Sequence, residues 1–398
     1  MSRLLVGAIV APLLLAAAGV SDPGSAGIVS VFESGGVSEA TLSAIAELGG
    51  DRDVLAMDRG TFRMMSVSRD GRPVQTFDPG FGVPMSVSAF DPAEAEGFVA
   101  PEVLAGVIPG SVVMSERSAA LRGATVGDAI LLEGWNGSPV SLTVSAVLPD
   151  DLLDWQELIV HPLTASDLGF DRIGSVEFVG SDRDAAMLRQ KLSEFPVRIS
   201  GPGEEVDRTD FVLPTIAVKE RFGEFSFRPS RGDAIEIDDA WVEENIVTVD
   251  VPSLGEFKCH RKVVPYIRSA LEDLQRRGLI SEIDSADFQL AGGCWNARLI
   301  RGGDKGFALS RHAWGIAIDI NPSTNRYEGP VSLSEGFGDT FRDWGFAWGA
   351  GWLRPDGMHF EWTEPAFPAE SRCSTLSLVP SPIPTVDWRI VERTIPCR

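Results

Sequence analysis

The sequence predicts an α+β protein in two parts: a mixed α/β amino-terminal domain, then a smaller domain in which helices flank a small antiparallel sheet. Three observations predict this class. The chain has 398 residues, more than the roughly 250 at which one hydrophobic core usually stops growing. Short β-rich runs alternate with helically spaced apolar residues in the first half. Nearer the carboxyl terminus, an amphipathic helix precedes two segments whose residues alternate between the faces of a strand.

Composition narrows the classes of function. Hydrophobic residues make up 44% of the chain and charged residues 23%, values typical of soluble globular proteins. The formal net charge is -22, from 35 basic against 57 acidic residues. Because binding to phosphates needs clustered Lys and Arg, this balance argues against a nucleic-acid partner.

The first residues are typical of an export signal. Arg3 precedes an apolar run over residues 4–20, in which Ala16 and Ala18 form an A-x-A cleavage pattern. We therefore expect residues 1–20 to be a signal peptide, and the mature protein to be secreted or extracytoplasmic, in the cell envelope. If the run stays uncleaved, it would instead anchor the protein in a membrane.

The cysteines agree with export, since an even number in an oxidising compartment usually pairs. Four cysteines allow three connectivities, of which we favour Cys259 with Cys294 and Cys373 with Cys397. A second metal site formed by Cys259, His260 and Cys294 is the alternative, but an exported chain favours the disulfide.

The first domain is predicted over residues 27–210, and its role is unknown. Its clearest local signal is a hairpin, in which β-rich runs at 129–135 and 140–148 flank Asn136-Gly137, a dipeptide that tolerates the positive φ angles of a tight turn. His161, at a strand end, is expected to be structural. Helices are predicted over Ala40–Leu48, Ser115–Leu121 and Asp184–Phe195, and strands over Phe62–Ser68, Leu158–His161 and Ser175–Val179.

One stretch of this domain carries a family resemblance. Val113-Met114-Ser115 through Gly127-Asp128-Ala129-Ile130 resembles the extracytoplasmic domains of ABC-type permeases of the MacB kind. The match covers one helix and one hairpin and includes no chemical motif. It implies an extracytoplasmic domain through which the protein would dock a membrane or envelope protein.

Composition predicts a linker over residues 211–234 and a second domain over 235–370. Proline, glycine and charge gather in the linker, as in Pro229-Ser230-Arg231-Gly232. In the second domain, Val264–Gly278 has the spacing of an amphipathic helix closed by its last glycine. Residues 371–398 are too rich in proline for regular structure and are expected to form a tail.

Two segments of the second domain carry a candidate metal site. Both, 309–321 and 356–362, are predicted strands. In the first, alternation places Asp319 on the face of two small residues and opposite three isoleucines, so its buried charge needs a partner such as a metal. If the two strands are neighbours, Asp319 and His359 can meet, and His312 enters from the loop before the first strand.

Two imidazoles and one carboxylate, with a fourth position open to water, form a catalytic zinc shell, whereas structural zinc has four protein ligands, mostly thiolates. Zinc lowers the pKa of its bound water to about 7, which supplies a nucleophile at neutral pH. A carboxylate must still take the proton, and Asp356, in the turn entering the second strand, is the candidate. Glu361, on the same strand face as His359, is a rival, although we favour it as a hydrogen-bond partner of that ligand.

The pattern Ser-x-His-x-x-Gly-x-Ala-x-Asp followed by Asp-x-x-His resembles the zinc D-alanyl-D-alanine carboxypeptidases and peptidoglycan endopeptidases of peptidase family M15. The match runs over about residues 235–365, and every motif position is filled. The resemblance implies that the metal ligands are His312, Asp319 and His359. It implies further that Asp356 is the catalytic carboxylate.

The same resemblance assigns residues that contact substrate. Ser310 matches a serine that contacts substrate near the ligand, and the family's arginine that polarises the scissile carbonyl falls near Arg298 and Arg301. Arg298 is the closer match and is taken as catalytic, with Arg301 as substrate-binding; a surface salt bridge is the alternative for each. Members with dipeptidase character carry Glu in place of Asp356, so a D,D-carboxypeptidase and an L-Ala-D-Glu endopeptidase both stay open.

The sequence thus predicts a zinc metallopeptidase that hydrolyses peptide bonds in peptidoglycan stem peptides. Serine catalysis of the D,D-peptidase kind is excluded because no lysine follows a serine by three positions. The competing interpretation is a non-catalytic extracytoplasmic binding or assembly module with a structural metal. Trp344, Trp348 and Trp352 are expected to be core residues, with a sugar-binding cleft as the alternative.

Overall fold

The computed structural model describes residues 27–49, 52–170, 172–202, 204, 212–251, 254–291, 293–301, 306–363 and 389–390. The predicted signal peptide and the pair Cys373–Cys397 lie outside these residues. Within them, no helix is both long and apolar enough to cross a membrane. The described chain contains helices and several sheets, some of them small and antiparallel. The prediction of a mixed α and β protein is therefore confirmed.

The chain divides into two compact units. The first comprises residues 1–206, 214–228 and 302–308. The second comprises residues 207–213, 229–301 and 309–398. The predicted domain boundaries stay a prediction, and each unit is described by itself.

In its described part, the first unit contains ten complete strands, six α-helices and the first two residues of an eleventh strand. The strands are β1 (Gly27–Glu33), β2 (Val54–Arg69), β3 (Arg72–Thr76), β4 (Val83–Ala89), β5 (Ser111–Ser115), β6 (Ala129–Glu133), β7 (Pro139–Leu148), β8 (Leu158–Val160), β9 (Ile173–Gly180) and β10 (Val197–Ser200). The helices are α1 (Glu39–Ala46), α2 (Pro101–Gly106), α3 (Glu116–Arg122), α4 (Pro162–Leu168), α5 (Asp182–Lys191) and α6 (Thr215–Phe222). Strand β11 (Phe227–Pro229) follows α6.

Six strands of this unit close into a ring in the order β2-β4-β8-β5-β7-β6, because β2 pairs with both β4 and β6. With 16 residues, β2 is long enough to pair with β9 as well, which attaches the sheet β10-β1-β9 to the ring. Apolar side chains from every ring strand form one buried core, including Phe62, Met64, Met85, Val112, Ile130, Leu132, Val144 and Leu158.

The local predictions in this unit are confirmed with differences at the ends of elements. α3 begins after the cap residue Ser115 and ends at Gly123, whose φ of 64° is left-handed. α5 begins earlier than predicted because Ser181 forms a capping box with Asp184. The hairpin β6–β7 is present, but Gly137 alone in its connection has a positive φ, so the turn is wider than a two-residue one. His161 is structural, since its Nδ1 accepts a hydrogen bond from the amide of Leu163 at the start of α4.

The segment 211–234, predicted as a linker, instead contains α6. Its apolar side chains are buried, and Lys219 is buried with them. The Lys219 ammonium contacts both oxygens of the buried Glu157 carboxylate at 2.8 and 2.9 Å, and the Arg122 guanidinium contacts the same carboxylate at 3.2 Å. Buried charges need such partners, so the charged residues that suggested a linker belong in part to a buried network.

The second unit contains the elements of the predicted peptidase domain. Its helices are α7 (Asp239–Asn245), α8 (Val264–Arg277), α9 (Ser285–Ala291) and α10 (Glu335–Asp343). Its strands are β12 (Ile235–Ile237), β13 (Ile246–Val251), β14 (Gly255–His260), β15 (Ala317–Asp319), β16 (Phe346–Trp348), β17 (His359–Trp362) and β18 (Arg389–Ile390). Two three-stranded sheets have the orders β14-β13-β18 and β15-β17-β16. β18 falls within the predicted tail, whose other residues lie outside the described chain.

α8 forms as its spacing predicts. The buried residues are Val264, Ile267, Ala270, Leu271 and Leu274, and Gly278 ends the helix with a φ of 74°. The predicted disulfide Cys259–Cys294 is also present, with both cysteines fully buried. The alternative metal site at Cys259, His260 and Cys294 is therefore wrong, because the disulfide uses both thiols.

Candidate active site

A short capped turn positions His312, which enters from before the first strand as predicted. Residues Arg311–Trp314 form a 3₁₀ turn, in which the Ser310 hydroxyl accepts a hydrogen bond from the amide of His312 at 3.3 Å. Gly315 ends the turn with a φ of 68°, and a Cβ there would lie 2.8 Å from the amide nitrogen of His260. The predicted strand over 309–321 is thus wrong in its first half, because the turn needs this left-handed glycine.

Asp319 and His359 meet across two neighbouring strands. β15 and β17 pair antiparallel, with Asp319 directly opposite His359. Side chains of directly opposite residues project from the same face of a sheet. The two strands are therefore neighbours, which is what the predicted contact between Asp319 and His359 requires.

Three atoms that can ligate a metal converge at this point. Asp319 Oδ1 lies 3.1 Å from His312 Nε2 and 3.1 Å from His359 Nδ1, and the two nitrogens are 3.3 Å apart. Donor atoms at about 2.0–2.1 Å from a tetrahedral zinc lie about 3.3 Å from one another. The spacing and the donor types therefore fit a zinc ion with one further position for a non-protein ligand.

The second ring nitrogen of each histidine has an acceptor oxygen beside it. His312 Nδ1 lies 3.0 Å from the carbonyl oxygen of Cys294, to which it donates a hydrogen bond. His359 Nε2 lies 3.4 Å from Glu361 Oε2. When these nitrogens carry the protons, His312 Nε2 and His359 Nδ1 each present a lone pair to the cluster, as metal ligation requires.

Arg311 supports Glu361 and was not among the site residues predicted from the sequence. Its Nε lies 3.0 Å from Glu361 Oε1, and its Nη2 donates to the carbonyl oxygen of Leu213 at 2.5 Å. Arg311 thus holds the carboxylate that holds His359. Its place directly before a proposed ligand is the signal that could have drawn attention to it.

The charges around the cluster shift several pKa values. Burial opposes ionisation of Asp319, but His312 and His359 outweigh it and hold the pKa of Asp319 below its usual range. Burial likewise opposes charge on His359, yet hydrogen bonds to Asp319 and Glu361 raise its pKa to about 10. Burial would also raise the pKa of Glu361, but the charge of Arg311 holds it low.

Asp356 lies beside the cluster in a tight backbone setting. Its amide donates to the carbonyl oxygen of Gly349 at 2.8 Å, and its own carbonyl accepts from the amide of His359 at 3.1 Å. A Cβ on Gly349 would lie 2.6 Å from the Asp356 carbonyl oxygen, so the approach requires glycine. Burial raises the pKa of Asp356, although the charge of His359 opposes this, and its Oδ1 is buried without a hydrogen-bond partner among the described residues.

This geometry lies within a segment that matches a family of known peptidases. Residues 303–362 match the family model described as D-alanyl-D-alanine carboxypeptidase, of the M15 peptidases. The predicted M15 resemblance is confirmed over this segment. The comparison with curated proteins found no match.

A solved structure is similar to part of the chain. The extracellular domain of a noncanonic ABC-type transporter, YknZ, from Gram-positive bacteria matches at 13% identity with a TM-score of 0.28. The match covers 44% of this chain and all of that domain, 100%. That protein is of the class that residues 113–130 resemble, but a likeness at this TM-score does not establish a shared fold.

The other predicted site residues, Arg298, Arg301 and Ser310, differ in their surroundings. The charges of Asp319 and Asp356 both act on the half-buried Arg298, whose pKa is lowered mainly by its burial. Arg301 instead forms an exposed ion pair with Asp233 at 2.8 Å. Ser310 is buried, and its hydroxyl caps the turn that carries His312. The structure thus brings Arg298 near the cluster and places Arg301 in a salt bridge.

The tryptophans Trp344, Trp348 and Trp352 differ in their surroundings. Trp344 and Trp348 are buried, with exposed fractions of 4% and 2%. Trp348 stacks on Phe360, with ring centroids 5.6 Å apart. Trp352 is half-buried, and its ring lies 5.3 Å from that of His359. The first two are core residues as expected, whereas Trp352 is half-buried and lies beside His359.

Proposed function

We propose that the protein is a zinc-dependent peptidase that hydrolyses peptide bonds in peptidoglycan stem peptides. The observation that carries the proposal is the convergence of His312 Nε2, Asp319 Oδ1 and His359 Nδ1 within 3.3 Å of one another. These three side chains would hold the metal. The matching M15 segment supports peptidase activity independently of that geometry.

The residues around the cluster have separate tasks in this proposal. Bound zinc supplies Lewis-acid activation of water and of the scissile carbonyl. The Asp356 carboxylate takes the proton of the attacking water and transfers it to the leaving amine. Arg298 stabilises the negative charge that develops on the carbonyl oxygen. Glu361 and Arg311 keep His359 in its ligating tautomer.

The bond that is cleaved has two candidates. The description of the matching family favours a D-Ala-D-Ala carboxypeptidase. Asp at position 356, in place of the Glu of dipeptidase-like members, favours an L-Ala-D-Glu endopeptidase. Digesting muropeptides with the zinc-loaded protein and identifying the products by mass spectrometry separates the two. Absence of chelator-sensitive cleavage of either bond would overturn the proposed function.

The competing function is a non-catalytic extracytoplasmic binding or assembly module with a structural metal. A structural zinc site usually has four protein ligands, whereas three ligating side chains converge here among the described residues. Asp356 also places a buried, unpartnered carboxylate oxygen beside them. Both features favour catalysis.

We propose the envelope as the location, and a membrane or envelope protein as the partner of the first unit.

Replacing Glu361 with Gln tests whether Glu361 orients His359 or acts as the catalytic base. We expect zinc affinity to fall about 10- to 100-fold, with turnover at saturating zinc largely retained, because Glu361 orients His359. Competition with a chromogenic chelator measures the affinity. Glu328→Gln, at an exposed carboxylate paired with Arg354, is the control and should change neither quantity. Lost turnover with unchanged zinc affinity would make Glu361 the base.

The raised pKa of His359 predicts how zinc binding depends on pH. Since the pKa is about 10 in the metal-free protein, His359 is protonated at neutral pH and zinc must displace that proton. Zinc affinity should therefore rise about tenfold per pH unit between about pH 6 and 9. Calorimetry in buffers of different ionisation enthalpy should detect one released proton. Zinc binding without proton release would contradict this.

The raised pKa of His359 also predicts that the metal-free protein becomes less stable as the pH rises. His359 has a pKa of about 10 when folded and an ordinary value of 6.5, so its contribution is fully present below about pH 6.5. It is lost as the pH rises toward 10. Metal-free protein should thus unfold at progressively lower urea concentration over this range, and added zinc should remove most of the dependence.

A further inference from the structure

A backbone bridge places Tyr327 directly beside Asp356. The two residues form an isolated antiparallel bridge, and the amide of the residue after Tyr327, Glu328, donates to the carbonyl oxygen of the residue before Asp356, Pro355, at 2.7 Å. Tyr327 and Asp356 are therefore a non-hydrogen-bonded pair, the kind in which opposite side chains lie closer together. In such pairs the Cβ atoms are about 4.5–5.5 Å apart and both side chains project from the same face. The side chain of Tyr327 thus begins beside the Asp356 carboxylate.

The loop that carries Tyr327 is held by a buried asparagine. Asn325 is fully buried, and its Oδ1 accepts hydrogen bonds from the amides of Ser332 and Leu333 at 2.6 and 3.2 Å. A Cβ on Gly357, the residue after the proposed base, would lie 3.3 Å from the Cβ of Asn325. The loop and the turn at the base are therefore in close contact, and the bridge is not the only link between them.

Tyr327 has an exposed side chain on this ordered backbone. The residue is 50% exposed. The other tyrosine of the chain, Tyr266, is half-buried, and its ring lies 5.5 Å from that of Trp362. A tyrosine offers a large and stiff contact surface at a low cost in conformational entropy. The exposed part of Tyr327 is thus available to a bound molecule.

The proposed reaction brings one part of the substrate to Asp356. The base takes the proton of the attacking water and transfers it to the leaving amine, which must come within hydrogen-bond reach of the carboxylate. That amine belongs to the residue on the carboxyl side of the cleaved bond, here called the leaving residue. Because the side chain of Tyr327 begins beside the same carboxylate, the leaving residue is the part of the substrate nearest to it.

We propose that Tyr327 is a specificity-determining residue whose ring packs against the side chain of the leaving residue. In a D-Ala-D-Ala carboxypeptidase the leaving residue is the terminal D-Ala, and in an L-Ala-D-Glu endopeptidase it is D-Glu. Each presents aliphatic carbon to the ring, either a methyl group or methylene groups. This inference rests on the proposed peptidase function and adds a specific contact to it.

The test is a double-mutant cycle between the ring and the side chain of the leaving residue. Zinc-loaded wild type and Tyr327→Ala are given the stem pentapeptide, and then the same peptide with glycine in place of the leaving residue, at position five or two according to the bond cleaved. We expect Tyr327→Ala to raise KM for the pentapeptide about 3- to 10-fold, with kcat within about threefold. For the glycine peptide its KM should stay within about twofold of the wild-type value. Tyr327→Phe keeps the ring and should match the wild type on both peptides.

Tyr266→Ala is the matched control. Its ring packs on Trp362, which points to the opposite face of β17 from Glu361. This variant should lower the Tm and leave KM unchanged, whereas Tyr327→Ala should keep its Tm and its zinc affinity.

Two results would overturn the inference alone while cleavage by the wild type upholds the proposed function. One is an unchanged KM of Tyr327→Ala for the pentapeptide, and the other is an equal rise in KM for both peptides. If the zinc-loaded wild type cleaves neither bond, the proposed function fails, and the inference that rests on it fails too.

Discussion

Asp356→Asn should lower turnover of stem peptides by about 10²- to 10⁴-fold, the usual contribution of a positioned general base. The amide has nearly the same shape but cannot take a proton from water. Zinc content should stay at the wild-type level, because Asp356 is not among the three converging ligand atoms. Stability should not fall, since Asp356 Oδ1 has no partner among the described residues to lose. Single-turnover kinetics and metal analysis of the same preparation measure both effects.

The control for this variant is Asp343→Asn. Asp343 is a carboxylate with a side chain 51% exposed, paired with Arg277 at 2.7 Å. Its replacement should leave turnover unchanged. If Asp356→Asn retains wild-type turnover, the proton acceptor is another group, and Glu361 becomes the first candidate.

Lys219→Met should destabilise the first unit by about 3–5 kcal/mol, the range for breaking a buried ion pair on one side. The ammonium and the Glu157 carboxylate are both fully buried, 2.8 Å apart. Burial would raise the pKa of Glu157, but the charges of Lys219 and Arg122 hold it low. Methionine fills a similar volume but leaves that carboxylate with Arg122 as its remaining buried cation. Urea denaturation followed by circular dichroism measures the loss.

Lys191→Met provides the matched control. Lys191 is also on a helix and ion-paired, but its side chain is 43% exposed and that of its partner, Glu47, is 67% exposed. Exposed pairs contribute about 0–1 kcal/mol. Equal effects of the two variants would show that the buried network at Glu157 adds nothing to stability.

The elements that the sequence predicts well are those set by local patterns. Helix α8 matches its prediction because its apolar spacing and its closing Gly278 are both local signals. The β6–β7 hairpin and the cap of α3 by Ser115 are of the same kind. The contact between Asp319 and His359 could also be anticipated, because strand alternation fixes which side chains share a face.

The features that the sequence did not predict depend on contacts between distant residues. The ring closes because β2 pairs with both β4 and β6, and no local sequence pattern predicts that pairing. Gly315, which ends the turn at His312, accepts a hydrogen bond from the amide of His260, 55 positions earlier. Proline, glycine and charge predict a linker over 211–234, but α6 lies in this segment, and the Glu157 partner of its Lys219 is 62 positions earlier in the chain. Arg311 likewise acts through Glu361, 50 positions later.

Zinc titration into metal-free protein, with cleavage of the stem pentapeptide followed at each step, tests the central claim most directly. The account predicts that the rate is zero without metal, rises in proportion to bound zinc, and reaches its plateau at one zinc per chain. His312→Ala should abolish both zinc binding at this stoichiometry and cleavage. Cleavage by the metal-free protein, or no cleavage with one zinc bound, would contradict it.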